Sequence, residues 1–304
     1  MSRIVPSPRD FEIMKMISRL GFMTETQICT LFYSKHRDFK LDLKRARNAI
    51  AQRIAQLLQH GYLAKSTIPG TGTINRVAYL LGPHGAEYLK NTREIEIRQN
   101  RRWIEARTND LMIRSRHDLI ATNFLVNLLM LARITPQFDT VNWIPDRDCR
   151  FYVEKGENKL LVNPDLFVSI RNGSPEGPDA FIEVDRNTLD DKAIRIKVLR
   201  LLQYFVSRKY KKDLGIKLFP FICVLVPTKE RLEAFQRIIT STKTFYSDDS
   251  SEKVSRVSFF MTTFDQVEVD SIERGFVSTK PLEGVWVNEQ GTRFVSPLLP
   301  KPSK

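Results

Sequence analysis

Between residues 8 and 20 the apolar side chains Phe11, Met14, Ile17 and Leu20 recur at helical spacing; Ser7 supplies an N-cap, Pro8 suits the first helical position, and Gly21 ends the run. A second helix starts at Thr24, with Gln27 three residues on in the register of a capping box, and it turns Ile28, Leu31 and Phe32 inward. A third helix is predicted over residues 41–60. On a wheel centred on Ile50, Ala46, Ile54 and Leu57 fall on one side, with Leu58 near its edge; Lys44, Arg45, Asn48 and Gln52 fall on the other, and Arg47 and Arg53 lie on the flanks. Gly61 stops this helix. Tyr62-Leu63, a glycine-containing turn at 69–72 and Val77-Ala78-Tyr79-Leu80 then read as a two-stranded hairpin, and Pro83 opens one more helix.

Three short helices, the third of them basic, followed by a hairpin make a winged helix-turn-helix over residues 1–90, an arrangement in which the third helix enters the major groove and the wing rides a phosphate backbone. Lys44, Arg45, Arg47, Asn48, Gln52 and Arg53, with Arg76 on the wing, are the residue types that read base edges and phosphates. A merely solvated helix face mixes charge signs, whereas residues 44–53 contain no acid. Charge sharpens this reading. The chain carries a net +13; residues 1–115 hold 20 Lys/Arg against 10 Asp/Glu, while the remainder holds 28 against 25. Such a lopsided excess suits a polyanion, because each neutralised phosphate releases counterions. An anionic membrane fits less well, since the cations lie in a patterned globular segment and not in a terminal tail. The apolar stretch at 124–131, closed by Arg133, falls short of the ~20 residues that span a bilayer. Double-stranded DNA, with no membrane, is the expected partner, and a homodimer is compatible with the two-fold sites such modules often bind. Three scattered cysteines, Cys29, Cys149 and Cys223, read as small core residues, and with no apolar leader at the N-terminus the expected compartment is the cytoplasm.

Residues 91–115 form an arginine-rich connector (Arg98, Arg101, Arg102, Arg107, Arg114) that reads equally as helix or hinge. Beyond it, residues 116–304 alternate helix and strand. A helix over 116–133 is followed by strands at 141–144, at 159–162 continuing into 166–170, and at 180–185, the last apolar enough to be central in a sheet. A long helix at 190–208, a buried strand at 219–226, a helix at 228–239, a strand at 257–261 and a hairpin at 284–295 complete the pattern. The expected class is therefore α/β plus α+β, the second domain having the core order αβββαβ.

Three acids stand where chemistry is expected. Asp165 follows Pro164 between apolar segments, and Glu183 and Asp185, two apart on one strand, project from the same face. Side-by-side carboxylates in an apolar strand are unfavourable unless something positive meets them. Mg2+, with Mn2+ as substitute, is one candidate, since it binds through a few carboxylates, water and phosphate oxygens. Arg186 and Lys192 are the alternative, as ordinary salt-bridge partners. No phosphate-cradling GxxxxGK[ST], no GxSxG elbow and no HExxH occurs, which argues against ATPase, α/β-hydrolase and metalloprotease classes.

Pro164-Asp165, about eighteen residues, then Glu183-x-Asp185 in this element order resembles the PD-(D/E)XK nuclease superfamily. There, a lysine two residues after the Glu is usual; Asp185 stands in that place here, and Lys197 on the next helix is the relocated cation, with Lys192 second choice. A closer resemblance, over about residues 8–205, is to the replication-relaxation family of plasmids and mobile elements, which couples a winged helix to a degenerate nuclease-like fold. It rests on the spacing of residues 51–63, on Leu81-Gly82-Pro83-His84-Gly85, on Arg116-His117-Asp118-Leu119, on Pro164-Asp165, and on residues 183–188 followed by Lys197 and Tyr204. The resemblance implies either a Mg2+-dependent nickase or endonuclease, with Asp165, Glu183 and Asp185 on metal and Lys197 aiding the water, or a non-catalytic regulator or replication initiator whose nuclease-like fold serves dimerisation or docking. Asp118 is a further metal ligand on the first reading and an ordinary helix-start acid beside His117 on the second. Tyr204 is read as packed, with a tyrosine-linked nick the remote alternative.

Overall fold

The computed structural model describes residues 4–33, 36–37, 40–69, 75–92, 101–135, 140–155, 158–172, 177–249 and 254–299. The chain forms two compact units, Met1–Met130 with Asp270–Val277, and Leu131–Val269 with Ser278–Lys304. This division differs from boundaries drawn at residues 90 and 115, because the helix expected to open the second domain starts at Arg101 and most of it belongs to the first unit.

The first unit begins with α1 (Pro8–Leu20), β1 (Met23–Thr24) and α2 (Glu25–Phe32). Both helices start in capping boxes, Ser7 with Asp10 and Thr24 with Gln27. These reciprocal bonds satisfy amide groups that a helix start otherwise leaves unpaired. Gly21, at φ +92°, ends α1 in a conformation open to glycine. The buried side of α1 is Ile13, Met14 and Ile17. Phe11 and Leu20 are only half-buried, so the stripe is rotated from the one the spacing suggests.

A short pair, β2 (His36–Arg37) and β3 (Lys40–Leu41), precedes α3 (Leu43–Gln59), which buries Ala46, Ile50, Ile54 and Leu57. The hairpin of β4 (Leu63–Pro69) and β5 (Asn75–Leu81) pairs antiparallel from Leu63↔Leu81 to Pro69↔Asn75, and β1 adds a third strand to β5. The turn residues 70–74 lie outside the described residues.

Next comes α4 (Pro83–Asn91), entered through Gly82 and Gly85. A Cβ on Gly82 would stand 2.2 Å from the Gly61 carbonyl oxygen, and one on Gly85 2.2 Å from that of Tyr62. Neither approach leaves room for a side chain, which is the physical content of the Gly-Pro-His-Gly run. From α5 (Arg101–Ile134), Leu119 joins Phe22, Ile68, Ala78 and Leu80 in a core cluster, and Asn123 accepts a hydrogen bond from Gln27 at 2.7 Å. Residues 116–134 are long and apolar enough to cross a bilayer by length and composition, but most of that segment is buried within the protein, as in a core helix. The expectation of too short an apolar stretch therefore needs correcting, while its reading as buried helix stands.

The second unit is built on a seven-stranded sheet. Its strands are β6 (Thr140–Pro145), β9 (Leu166–Arg171), β10 (Asp179–Val184), β11 (Phe221–Val226), β12 (Phe259–Thr263), β13 (Trp286–Asn288) and β14 (Arg293–Phe294), in spatial order β14-β13-β12-β11-β10-β9-β6. β10, β11 and β12 run parallel; the flanking pairs are antiparallel. The parallel steps are crossovers through α6 (Asp191–Ser207), with the short α7 (Tyr210–Asp213) after it, and through α8 (Lys229–Asp249).

A separate hairpin, β7 (Phe151–Lys155) with β8 (Asn158–Val162), lies between β6 and β9 in sequence. Residues 159–162 thus pair with β7 and do not run on into β9, as the apolar pattern had suggested. Phe167 and Phe181 from the sheet, Val198 and Leu201 from α6, and Phe235 and Ile239 from α8 share one core with Phe151 and Val162 of the hairpin. α6, α8 and the hairpin accordingly cover one face of the sheet.

Candidate functional site

Strand periodicity places Phe181, Glu183 and Asp185 on the helix-covered face, as the i, i+2 spacing requires. Their neighbours differ. Antiparallel pairing of Ile182 with Leu166 brings Asp165 alongside Glu183, and one Asp165 carboxylate oxygen accepts the Val184 amide hydrogen at 2.7 Å. From the middle of α6, Lys197 reaches down to form an ion pair with Glu183 and stands 4.0 Å from Asp165. Asp165, Glu183 and Lys197 therefore converge.

Asp185 lines a cavity with Glu183 and Lys197, and its charge also favours the Lys197 ammonium, but its direct partners lie elsewhere. Its carboxylate accepts from Arg231 at 2.6 and 3.1 Å and from the Asn187 amide at 2.9 Å. Arg231, on α8, is fixed in turn by the Leu189 carbonyl oxygen at 2.7 Å and lies over the Phe235 ring. Both side chains are buried, at 9% and 4% exposure. Of the expected Asp165, Glu183, Asp185 and Lys197, the lysine thus meets Glu183 and Asp165 directly, while Asp185 is held by Arg231. The cation answering Asp185 is neither Arg186 nor Lys192 but Arg231, 46 residues away, and only the crossover topology brings it there.

Burial pushes the Glu183 carboxyl above the usual carboxylate range, and the Asp165 charge adds to this against the pull of Lys197. Burial works against a charged Lys197 too, but Asp165, Glu183 and, less strongly, Asp185 outweigh it and keep the ammonium protonated. The Lys197 ammonium, in contact with one oxygen, is the charged donor that meets the Glu183 carboxylate. Glu183 and Lys197 also line an open groove of about 330 Å3 with Asn163, Ile196 and Arg200.

Mg2+ needs only one or two carboxylates when water and phosphate complete its shell. Two neighbouring carboxylates, Glu183 and Asp165, with Glu183 lining a groove, fit that minimum, although Lys197 already meets Glu183 there. No group of three or more His, Cys, Asp or Glu that could hold a metal occurs among the described residues. Asp118 belongs to the first unit, where it lies 3.4 Å from His117. Tyr204 is packed: fully buried, stacked on Phe151 and donating to Asp213 at 3.0 Å.

In the first unit, Lys44, Arg45, Asn48 and Gln52 are exposed on α3, opposite its buried side. Arg47, also exposed, pairs with Glu25 at 3.1 Å. Two further cations of the expected set are engaged internally. Arg76 forms an ion pair with Glu273, whose side chain is 1% exposed and which also accepts from the Thr24 hydroxyl at 3.0 Å. Burial raises the Glu273 carboxyl above its ordinary range, opposed by Arg76. Sequence reading missed Glu273 altogether, since nothing local marks an acid 197 residues from its partner.

Arg53 holds Asp10 through contacts of 3.1, 3.0 and 2.5 Å and donates to the Val5 carbonyl oxygen. Arg53→Ala is expected to cost roughly 2–3 kcal/mol, below the range for a fully buried pair because Arg53 is partly exposed; urea unfolding measures it. Burial opposes ionisation of Asp10, yet Arg53 and the Ser7 hydroxyl and amide prevail and hold its pKa below the usual value. A depressed folded-state pKa contributes stability that is present above the unfolded value and lost as pH falls through the folded one. Between about pH 5 and about pH 3, Asp10→Asn should therefore lose less stability than the wild type.

Searches of curated proteins and of solved structures returned no match. The model of the replication-relaxation family, by contrast, matches residues 14–217, from α1 through the Asp165–Glu183–Lys197 cluster to the end of α7, and the chain belongs to that family.

Proposed function

We propose that this chain is a duplex-DNA-binding protein of a mobile genetic element, in which α1–α3 and the β4–β5 hairpin act as a winged helix-turn-helix and α3 reads the major groove. The observation that carries this is the outer face of α3: Lys44, Arg45, Asn48 and Gln52 exposed together on a helix whose opposite side is core. The test is selection of bound duplexes from random sequence, followed by titration of the selected site at several salt concentrations. A steep fall of affinity with salt and one enriched sequence are expected; a flat salt response refutes the reading.

A second reading concerns the other unit, taken as a PD-(D/E)XK-like fold with the order αβββαβ around the β7–β8 insertion. The convergence of Asp165, Glu183 and Lys197 beside an open groove favours a Mg2+-dependent nickase over an inert body. Asp165 and Glu183 would hold the ion, whose Lewis acidity would act on a phosphodiester. Lys197 keeps a fixed ammonium at the groove wall, where developing phosphate charge is met without reorganisation. Supercoiled plasmid bearing the selected site should be nicked with Mg2+ or Mn2+ by the wild type and left intact by Glu183→Gln and Lys197→Met, with duplex affinity retained. Intact plasmid with wild-type protein leaves the regulator or replication-initiator reading in its place.

A further inference from the structure

We propose that the outward face of the β7–β8 hairpin, with the link from α6 to α7, is a second nucleic-acid surface, one that takes a single strand. Strand alternation sorts the hairpin's side chains. Phe151, Val153 and Val162 are buried in the core, while Tyr152, Glu154 and Lys159 point outward. Tyr152 keeps 48% of its surface exposed.

Across a groove of about 540 Å3 lies Lys209, whose ammonium donates to the Tyr152 carbonyl oxygen and to Glu154, both at 3.2 Å. α6 ends at Arg208 in a left-handed conformation, φ +57°, so the run Arg208-Lys209-Tyr210-Lys211-Lys212 leaves the helix axis. Tyr210 anchors the run in the core, and Arg208, Lys211 and Lys212 remain exposed. Arg150, Lys159 and Lys209 line this groove with the ring, against Glu154 and Asp213, and Arg208, Lys211 and Lys212 add exposed positive charge along the adjoining run. Glu154 is paired with Lys209, and Asp213 accepts from the Tyr204 hydroxyl.

An exposed aromatic ring amid excess cations matches a ligand that offers bases for stacking and phosphates for ion pairing. A duplex keeps its bases stacked inside and has nothing for Tyr152. An acidic protein meets the charge but has no regular partner for the ring. The surface lies wholly in the second unit and is independent of the α3 reading.

The experiment uses the full chain, unmodified and with Lys44, Arg45, Asn48 and Gln52 replaced by alanine, and follows fluorescence anisotropy of a labelled mixed-sequence oligonucleotide of about 20 nucleotides, single-stranded or duplex. The α3 variant should still bind the single strand. Tyr152→Ala should weaken that binding about tenfold, in line with loss of one stacked base, whereas Tyr152→Phe should keep it. Lys211→Ala with Lys212→Ala should flatten the salt dependence by one to two, about 0.7 per lost phosphate contact. All these side chains are exposed, so folding is not at stake. No affinity for the single strand, indifference to Tyr152→Ala, or tighter binding of polyglutamate than of the oligonucleotide would each overturn the proposal.

Discussion

Replacing Lys44, Arg45, Asn48 and Gln52 together by alanine is expected to cut affinity for the selected duplex by roughly 10²- to 10⁴-fold, because each well-formed base contact discriminates by about 1–3 kcal/mol and each lost phosphate contact lowers the salt slope by about one. Stability should change little. All four positions are exposed on α3, and alanine has the highest helix propensity. The variant thus separates recognition from folding, which Arg53→Ala does not. Electrophoretic mobility shift and anisotropy titrations measure the loss, with thermal unfolding as the control. Unchanged affinity in a folded variant would remove the face from the interface.

Asp185→Ala is expected to produce the largest stability loss at the sheet's helix-covered face. It strands the buried Arg231 guanidinium, and breaking a buried pair by removing one partner costs about 3–5 kcal/mol. A fall in Tm of roughly 6–12 °C follows for a protein of this size. Arg231→Met in the Asp185→Ala background should recover part of it, because an apolar side chain of similar length fills the space without an orphaned charge. Glu183→Gln should behave differently. Its carboxylate is held against its solvation preference, so neutralising it costs little or stabilises. An Asp185→Ala protein that melts like the wild type but loses metal-dependent activity would return Asp185 to the catalytic set.

Much of this was legible because the signals are local. The N-cap at Ser7, the capping box at Thr24 and the buried stripe of α3 each depend on residues within a few positions of one another. Strand parity likewise gave the shared face of Glu183 and Asp185, whereas Lys197 was suggested by the nuclease resemblance. What escaped depends on topology. Arg231 meets Asp185 because α8 follows the strand parallel to β10, and no spacing rule links positions 46 apart. Residues 159–162 are as apolar and extended as a sheet strand, and only their pairing with β7 takes them out of the sheet. The reach of α5 was hidden because its arginines carry no apolar stripe toward the front of the helix.

The segment Asp270–Val277 has a consequence for how the molecule is born. On a ribosome adding 5–20 residues per second, Glu273 emerges roughly 7 to 30 s after residue 130. Throughout that interval Arg76 and the Thr24 hydroxyl wait without their partner. The first unit is therefore completed only after β6 to β12 have been synthesised, and Arg76 lacks Glu273 for most of translation.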